Sequence, residues 1–180
     1  MMDDETPGQE LSAAAKARWL AIALAEEQAQ VREGHAPGTE RILAYLATCG
    51  DLEDGEGERD DTPWCSAFLN WCVMQAGFAG TDSGWATSWA RWGREDPQPG
   101  PGTIVVWRRS RDLGNGLEPV GGHVAFLLER RGDMVHVLGG NQRDAVCRRD
   151  YPLHGFLADT VDRAGEVSDH YELLGFRTAP

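Results

Sequence analysis

Among the four cysteines of this chain (Cys49, Cys65, Cys72 and Cys147), one sits where sulfur chemistry is favoured. Pro63 suits the first turn of a helix, where a missing N–H costs nothing. Cys65 then falls in that first turn, among unpaired backbone N–H groups and the positive end of the helix dipole, both of which stabilise a thiolate. The same N–H groups could hold the oxyanion of a tetrahedral intermediate. On its own a buried cysteine is a packing residue; beside an imidazole it becomes a nucleophile. The best imidazole is His123, which follows Gly121-Gly122 at the start of a strand. A third group should orient that ring and hold its tautomer. Asn141, after Gly139-Gly140 at the end of the next strand, is the candidate, with Asp144 as its nearby competitor.

The remaining cysteines and histidines fit this chemistry less well. Cys65 and Cys72 share one helix two turns apart, roughly 10 Å and too far for a bridge. No CxxC spacing occurs, which argues against structural zinc. All four cysteines therefore read as free thiols. In the stretch from Met134 to Asn141, period-2 alternation sends His136 to the face opposite Asn141, making it a structural or surface residue. His35, His154 and His170 fall in loops.

The elements that must position these groups come in two blocks. Ser12 caps a helix to about Gln30, with Trp19, Ile22, Ala23 and Glu26 on one stripe. Thr39 caps a second helix, Glu40 to Thr48, that stops at Gly50. An acidic loop with seven carboxylates spans residues 51–61 and reads as exposed and mobile. The Cys65 helix runs from Pro63 to Gly77. Asp82 or Ser83 caps a fourth helix with Trp85, Trp89 and Trp92 at i, i+4, i+7, either a core stripe or the wall of a cleft. Short strands follow: 103–109, 123–129, 134–138, 145–149 and a last one at 171–178. Gly114 to Gly122 reads as a loop and Arg131-Gly132-Asp133 as a hairpin turn. Helices first and an antiparallel sheet of about five strands afterwards make the fold α+β. Residues 1–11 read as a disordered acidic tail and 12–180 as one domain, in keeping with 180 residues.

Composition narrows the function. The chain is 41% hydrophobic and 26% charged, an ordinary globular balance that excludes disorder and low complexity. Its net charge of −12 repels nucleic acid and anionic lipid, and no basic patch offsets it: the arginine pairs 108/109, 130/131 and 148/149 are dispersed. The first 62 residues carry a net −10 and the rest −2. The longest apolar run, Trp19 to Ala25, is far short of the ~20 residues that span a bilayer. The acids at positions 3, 4, 5 and 10 argue against an export signal.

At this point three blocks resemble a known family. Thr62-Pro63-Trp64-Cys65-Ser66-Ala67-Phe68, Gly122-His123-Val124-Ala125-Phe126 and Gly139-Gly140-Asn141-Gln142 are similar to the signature blocks of CHAP-type cysteine, histidine-dependent amidohydrolases/peptidases, which have a papain-like fold. The opening helix, Ser88-Trp89-Ala90-Arg91-Trp92-Gly93 and Pro101-Gly102-Thr103-Ile104-Val105-Val106 extend the likeness over about residues 17–152, plus a terminal strand. The resemblance implies that Cys65 is the nucleophile, His123 the general base and then acid, and Asn141 the orienting residue. It implies amide hydrolysis through a thioester in the peptide part of peptidoglycan, by an amidase or an endopeptidase, with no metal or organic cofactor.

Beside it stand Asp61, Trp64, Trp89, Gly122 and Gln142 as candidate substrate-binding residues, Asp61 or Asp60 being suited to a cationic amine of the stem peptide. The carboxylate spacing of the acidic loop does not match an EF-hand. Residues 153–171 read as an insertion relative to the family. With no convincing export signal, the chain is expected to reach the wall from the cytoplasm, as a phage lysin or a secreted antibacterial effector. An injected toxin would meet a secretion-system component and need a cognate immunity protein. The alternatives are a protein-directed cysteine protease or deamidase, and an inactive papain-like binding module.

Overall fold

A computed structural model describes residues 7–162 and 165–180. Three α-helices lead: α1 (Pro7–Gln28), α2 (Gly38–Leu46) and α3 (Cys65–Gln75). Seven strands follow: β1 (Arg94–Glu95), β2 (Ile104–Asp112), β3 (Leu117–Arg131), β4 (Met134–Gly139), β5 (Cys147–Pro152), β6 (His154–Asp162) and β7 (Gly165–Thr178). The α+β expectation holds. The strands form one antiparallel sheet in the order β1-β7-β2-β3-β4-β5, with β6 also paired to β7.

Each face of the sheet is covered differently. One face carries Ile104, Val106, Val124, Phe126 and Leu138, packed under Trp19, Tyr45, Phe68 and their helical neighbours. Trp19 fixes α1 to the sheet side by donating its indole N–H to the Gly102 carbonyl at 2.6 Å. The other face is a second core built from strand residues and the link residue Leu153: Val105, Trp107, Ala125, Leu127, Val135, Val137, Tyr151 and Tyr171. Strand residues bury one another on that face because the sheet curls, and the Leu173 N–H reaches the Leu153 carbonyl at 2.9 Å across the β5–β6 link.

Several boundaries move. The first helix begins at Pro7, so residues 7–11 of the expected tail are helical, while residues 1–6 lie outside the described residues. Ser12 is inside the helix, its hydroxyl 2.5 Å from that of Thr178. Thr39 does not cap α2; its hydroxyl donates to Asp60 at 2.6 Å. The tryptophan segment is a six-residue 3-10 turn, Ala86–Arg91, not an α-helix. Trp85 therefore falls off the stripe and is 67% exposed, while Trp89 is fully buried. The stretch 114–122 is mostly strand: β2 and β3 form a long hairpin whose register slips between Arg109/Ser110, leaving Val120 as a bulge beside Gly121. Within the expected insertion 153–171, residues 154–162 form β6 and 165–171 the first part of β7, paired antiparallel, which raises the strand count above the expected five.

The acidic loop is also more ordered than its composition suggests. Asp60 accepts the Gly34 N–H and the Thr39 hydroxyl. Asp51 accepts the Ser83 hydroxyl and the Gly84 N–H. Carboxylates that accept backbone N–H groups fasten a loop that mutual repulsion would otherwise open.

Candidate active site

Trp64 is the N-cap of α3 and Cys65 its first helical residue, as the position of Pro63 suggests. Toward His123, β3 runs past its pairing with β4, which ends at Phe126↔Leu138. The backbone N–H of Val124, one residue along the chain from His123, favours the thiolate form of Cys65 there. Both Cys65 and His123 are buried, keeping 7% and 6% of their surface exposed. Burial pushes the Cys65 thiol above the ordinary thiol range. The Val124 N–H, the Arg109 charge and the N–H groups of Ser66 and Cys65 act in the opposite direction.

Close approach of α3 to the strands depends on a glycine. A Cβ on Gly140 would lie 2.6 Å from the Phe68 Cβ and from Cζ3 of Trp64. Gly122 does the same for the 3-10 turn, where a Cβ would meet the Trp107 carbonyl oxygen at 2.8 Å and Thr87 Cγ2 at 2.9 Å.

The ring of His123 is held on three sides. Tyr151 stacks on it at 4.8 Å and Trp107, its cross-strand neighbour, at 6.0 Å. Its Nε2 lies 3.0 Å from Oε1 of Gln142. The carboxamide of Gln142 donates its own N–H to the Cys147 carbonyl, which identifies Oε1 as the acceptor facing the ring. Nε2 then carries the proton and Nδ1 is left as the basic nitrogen.

Gln142 takes the position expected of Asn141. Asn141 has φ 55°, a left-handed conformation that interrupts the alternation of β4. Parity counted from Met134 therefore fails beyond Gly139, and residue 142 folds back over Gly139 toward the ring. Asn141 serves the other side of the junction: with its carboxamide turned to satisfy both neighbours, it accepts the Trp64 backbone N–H and donates to Oε1 of Glu33, both at 3.2 Å. Glu33 also accepts the Trp64 indole N–H at 2.7 Å. Burial, opposed by that bond, raises its carboxyl above the usual range, with Asp144, Asp60 and Asp61 adding to the rise.

The expected substrate-binding residues fare unevenly. Trp64 and Trp89 are fully buried, the latter donating to the Ser66 hydroxyl at 2.9 Å, so they shape the α3 entry without meeting a ligand. Gln142 is buried against His123, and Gly122 is a close-packing position. Asp61, its side chain 70% exposed, pairs with Arg59 at 3.1 Å, and Asp60 is committed to Gly34 and Thr39. His136 pairs with Asp150 at 2.7 Å on the outer strands. All four cysteines are free thiols. Among the described residues no group of three or more His, Cys, Asp or Glu side chains is arranged to hold a metal ion. No helix of the described residues is long and apolar enough to cross a membrane.

Sequence reasoning missed the roles of Gln142, Trp107, Tyr151 and Glu33. The one signal available was the Gly-Gly-Asn run at 139–141, since Asn after glycine favours a left-handed turn.

A helix opening on a cysteine and packed against an antiparallel sheet that carries a histidine is consistent with a papain-like α+β fold. Residues 57–141, which include both Cys65 and His123, match the family model of the CHAP domain. CHAP domains are generally hydrolases of the amidase or peptidase type. Neither a curated protein nor a solved structure matches the chain.

Proposed function

We propose that this protein is a cysteine hydrolase that cleaves amide bonds in the peptide part of bacterial peptidoglycan. The observation that carries the proposal is the placement of Cys65 as the first residue of α3, where the Val124 N–H favours its thiolate, with Val124 next in the chain to an imidazole held by Gln142. The match of residues 57–141 to the CHAP family model supports the substrate class.

Cys65 is buried and desolvation disfavours its thiolate, so we take attack and proton transfer to be coupled. Nδ1 of His123 accepts the thiol proton as Sγ adds to the amide carbonyl carbon. The backbone N–H groups of the first turn of α3 stabilise the oxyanion. The imidazolium then protonates the leaving amine, a thioester remains on Cys65, and water activated by the same nitrogen releases the acid. Through these steps Gln142 keeps the Nε2 proton in place, and the Tyr151 and Trp107 rings restrict tilting. Delivery by lysis or by a secretion system, with an immunity protein over the cleft in the latter case, belongs to the same reading.

Purified sacculi incubated with the wild type, Cys65→Ala and His123→Ala test it. Release of muropeptides by the wild type alone is the expected result, and mass spectrometry of the products distinguishes amidase from endopeptidase cleavage. Cleavage of denatured casein with intact sacculi would indicate a protein-directed protease instead.

A further inference from the structure

An open groove of about 1060 Å³ lies beside the first half of β3, the strand that carries His123. One wall is the 3-10 turn, through Thr87, Ser88 and Arg91; the other is the β2–β3 hairpin, through Arg108 and Gly121. Both walls connect to the candidate active site. Gly121 is two residues before His123, and the Ser83 carbonyl at the rim accepts the hydroxyl of Ser66, the residue after Cys65, at 2.7 Å.

The groove differs in charge from the rest of the chain, whose net charge is −12. Arg91 is exposed and makes no hydrogen bond or ion pair with any described residue. Arg108 gives one bond to Glu172 at 3.0 Å, with both side chains about half exposed, and a guanidinium has five N–H donors to share. The Ser88 Oγ in the wall is buried and has no hydrogen-bond partner among the described residues. Trp85, the most exposed tryptophan, offers a flat apolar surface beside them. Two planar guanidinium groups with spare donors suit a carboxylate, and an indole face suits the peptide planes next to it.

We infer that this groove is the subsite for a carboxylate-bearing arm of the peptide, with Arg91 and Arg108 binding the carboxylate and Trp85 covering the backbone. This rests on the hydrolase reading and deepens it: the preferred substrate is an acidic peptide, not merely any amide that fits.

The test is calorimetric titration of full-length Cys65→Ala, which cannot turn over, with a stem tetrapeptide bearing free carboxylates and with its fully amidated counterpart. The free acid should bind about tenfold more tightly, and less so as salt rises. That advantage should vanish in Cys65→Ala carrying Arg91→Gln and Arg108→Gln, substitutions at exposed positions that leave the circular dichroism spectrum unchanged. Equal affinity for acid and amide, an advantage that survives both substitutions, or no binding of either peptide overturns the inference. Sacculus hydrolysis by the wild type is scored separately. Its absence would remove the hydrolase reading while arginine-dependent carboxylate binding still stood, and its presence without acid preference would remove only the subsite.

Discussion

His123 and Gln142 form one unit: Nε2 of the ring is 3.0 Å from the glutamine carbonyl oxygen, and the amide nitrogen of that glutamine is tied to the Cys147 carbonyl. Together with the stacked rings of Tyr151 and Trp107, this ties the orientation of the imidazole to the main chain of β5.

Gln142→Ala is expected to lower kcat by about 10- to 100-fold with little change in KM, because the ring loses its tautomer and not its contact with substrate. Gln142→Glu should retain more activity than Gln142→Ala, since a carboxylate still accepts from Nε2. Asn141→Ala should leave kcat nearly unchanged and lower stability by about 1–2 kcal/mol, because its bonds to Trp64 and Glu33 serve the fold. Equal loss of kcat in Asn141→Ala and Gln142→Ala would contradict this division.

The pH dependence of Cys65 alkylation follows from its burial. Desolvation disfavours the thiolate, so reaction with iodoacetamide should rise with pH through a midpoint above that of an exposed thiol. Arg109 opposes the shift, and Arg109→Gln should move the midpoint higher still. A midpoint below neutrality would mean that a preformed thiolate–imidazolium pair dominates.

Gly140→Ala should destabilise the protein by about 1–3 kcal/mol, since the new methyl group meets Trp64 and Phe68 well inside van der Waals contact. Thermal unfolding measures the loss. Activity should fall too, because relief of the clash moves the start of α3 away from β3.

Tyr151→Ala empties one side of the His123 ring inside the strand-built core and should cost about 3–5 kcal/mol. Tyr151→Phe keeps the stack and is expected to retain most of the activity. If Tyr151→Phe were as inactive as Tyr151→Ala, the hydroxyl and not the ring face would be the important part.

Local signals in the sequence reached a long way. Pro63 followed by an apolar stripe places Cys65 in the first turn of a helix, because a proline lacks only an N–H that the helix start leaves unused. The block of helices followed by β-branched segments yields α+β, because burial periodicity is a property of neighbours along the chain. The pairing of Cys65 with His123 as candidates needed only residue types and glycine context.

Where the chain leaves regular alternation, tertiary structure decided. The left-handed turn at Asn141 shifts parity by one and hands the histidine to Gln142. The tryptophan spacing at 85, 89 and 92 suits an α-helix, yet packing against Gly122 and the end of β3 holds a tighter 3-10 turn that turns Trp85 outward. The curl of the sheet brings Tyr151 from β5 onto a ring in β3, a contact between residues 28 positions apart in sequence that no local pattern encodes. Short-range preferences fix which elements form; side-chain contacts depend on register and on how elements close upon one another, and those are set only when the whole core packs.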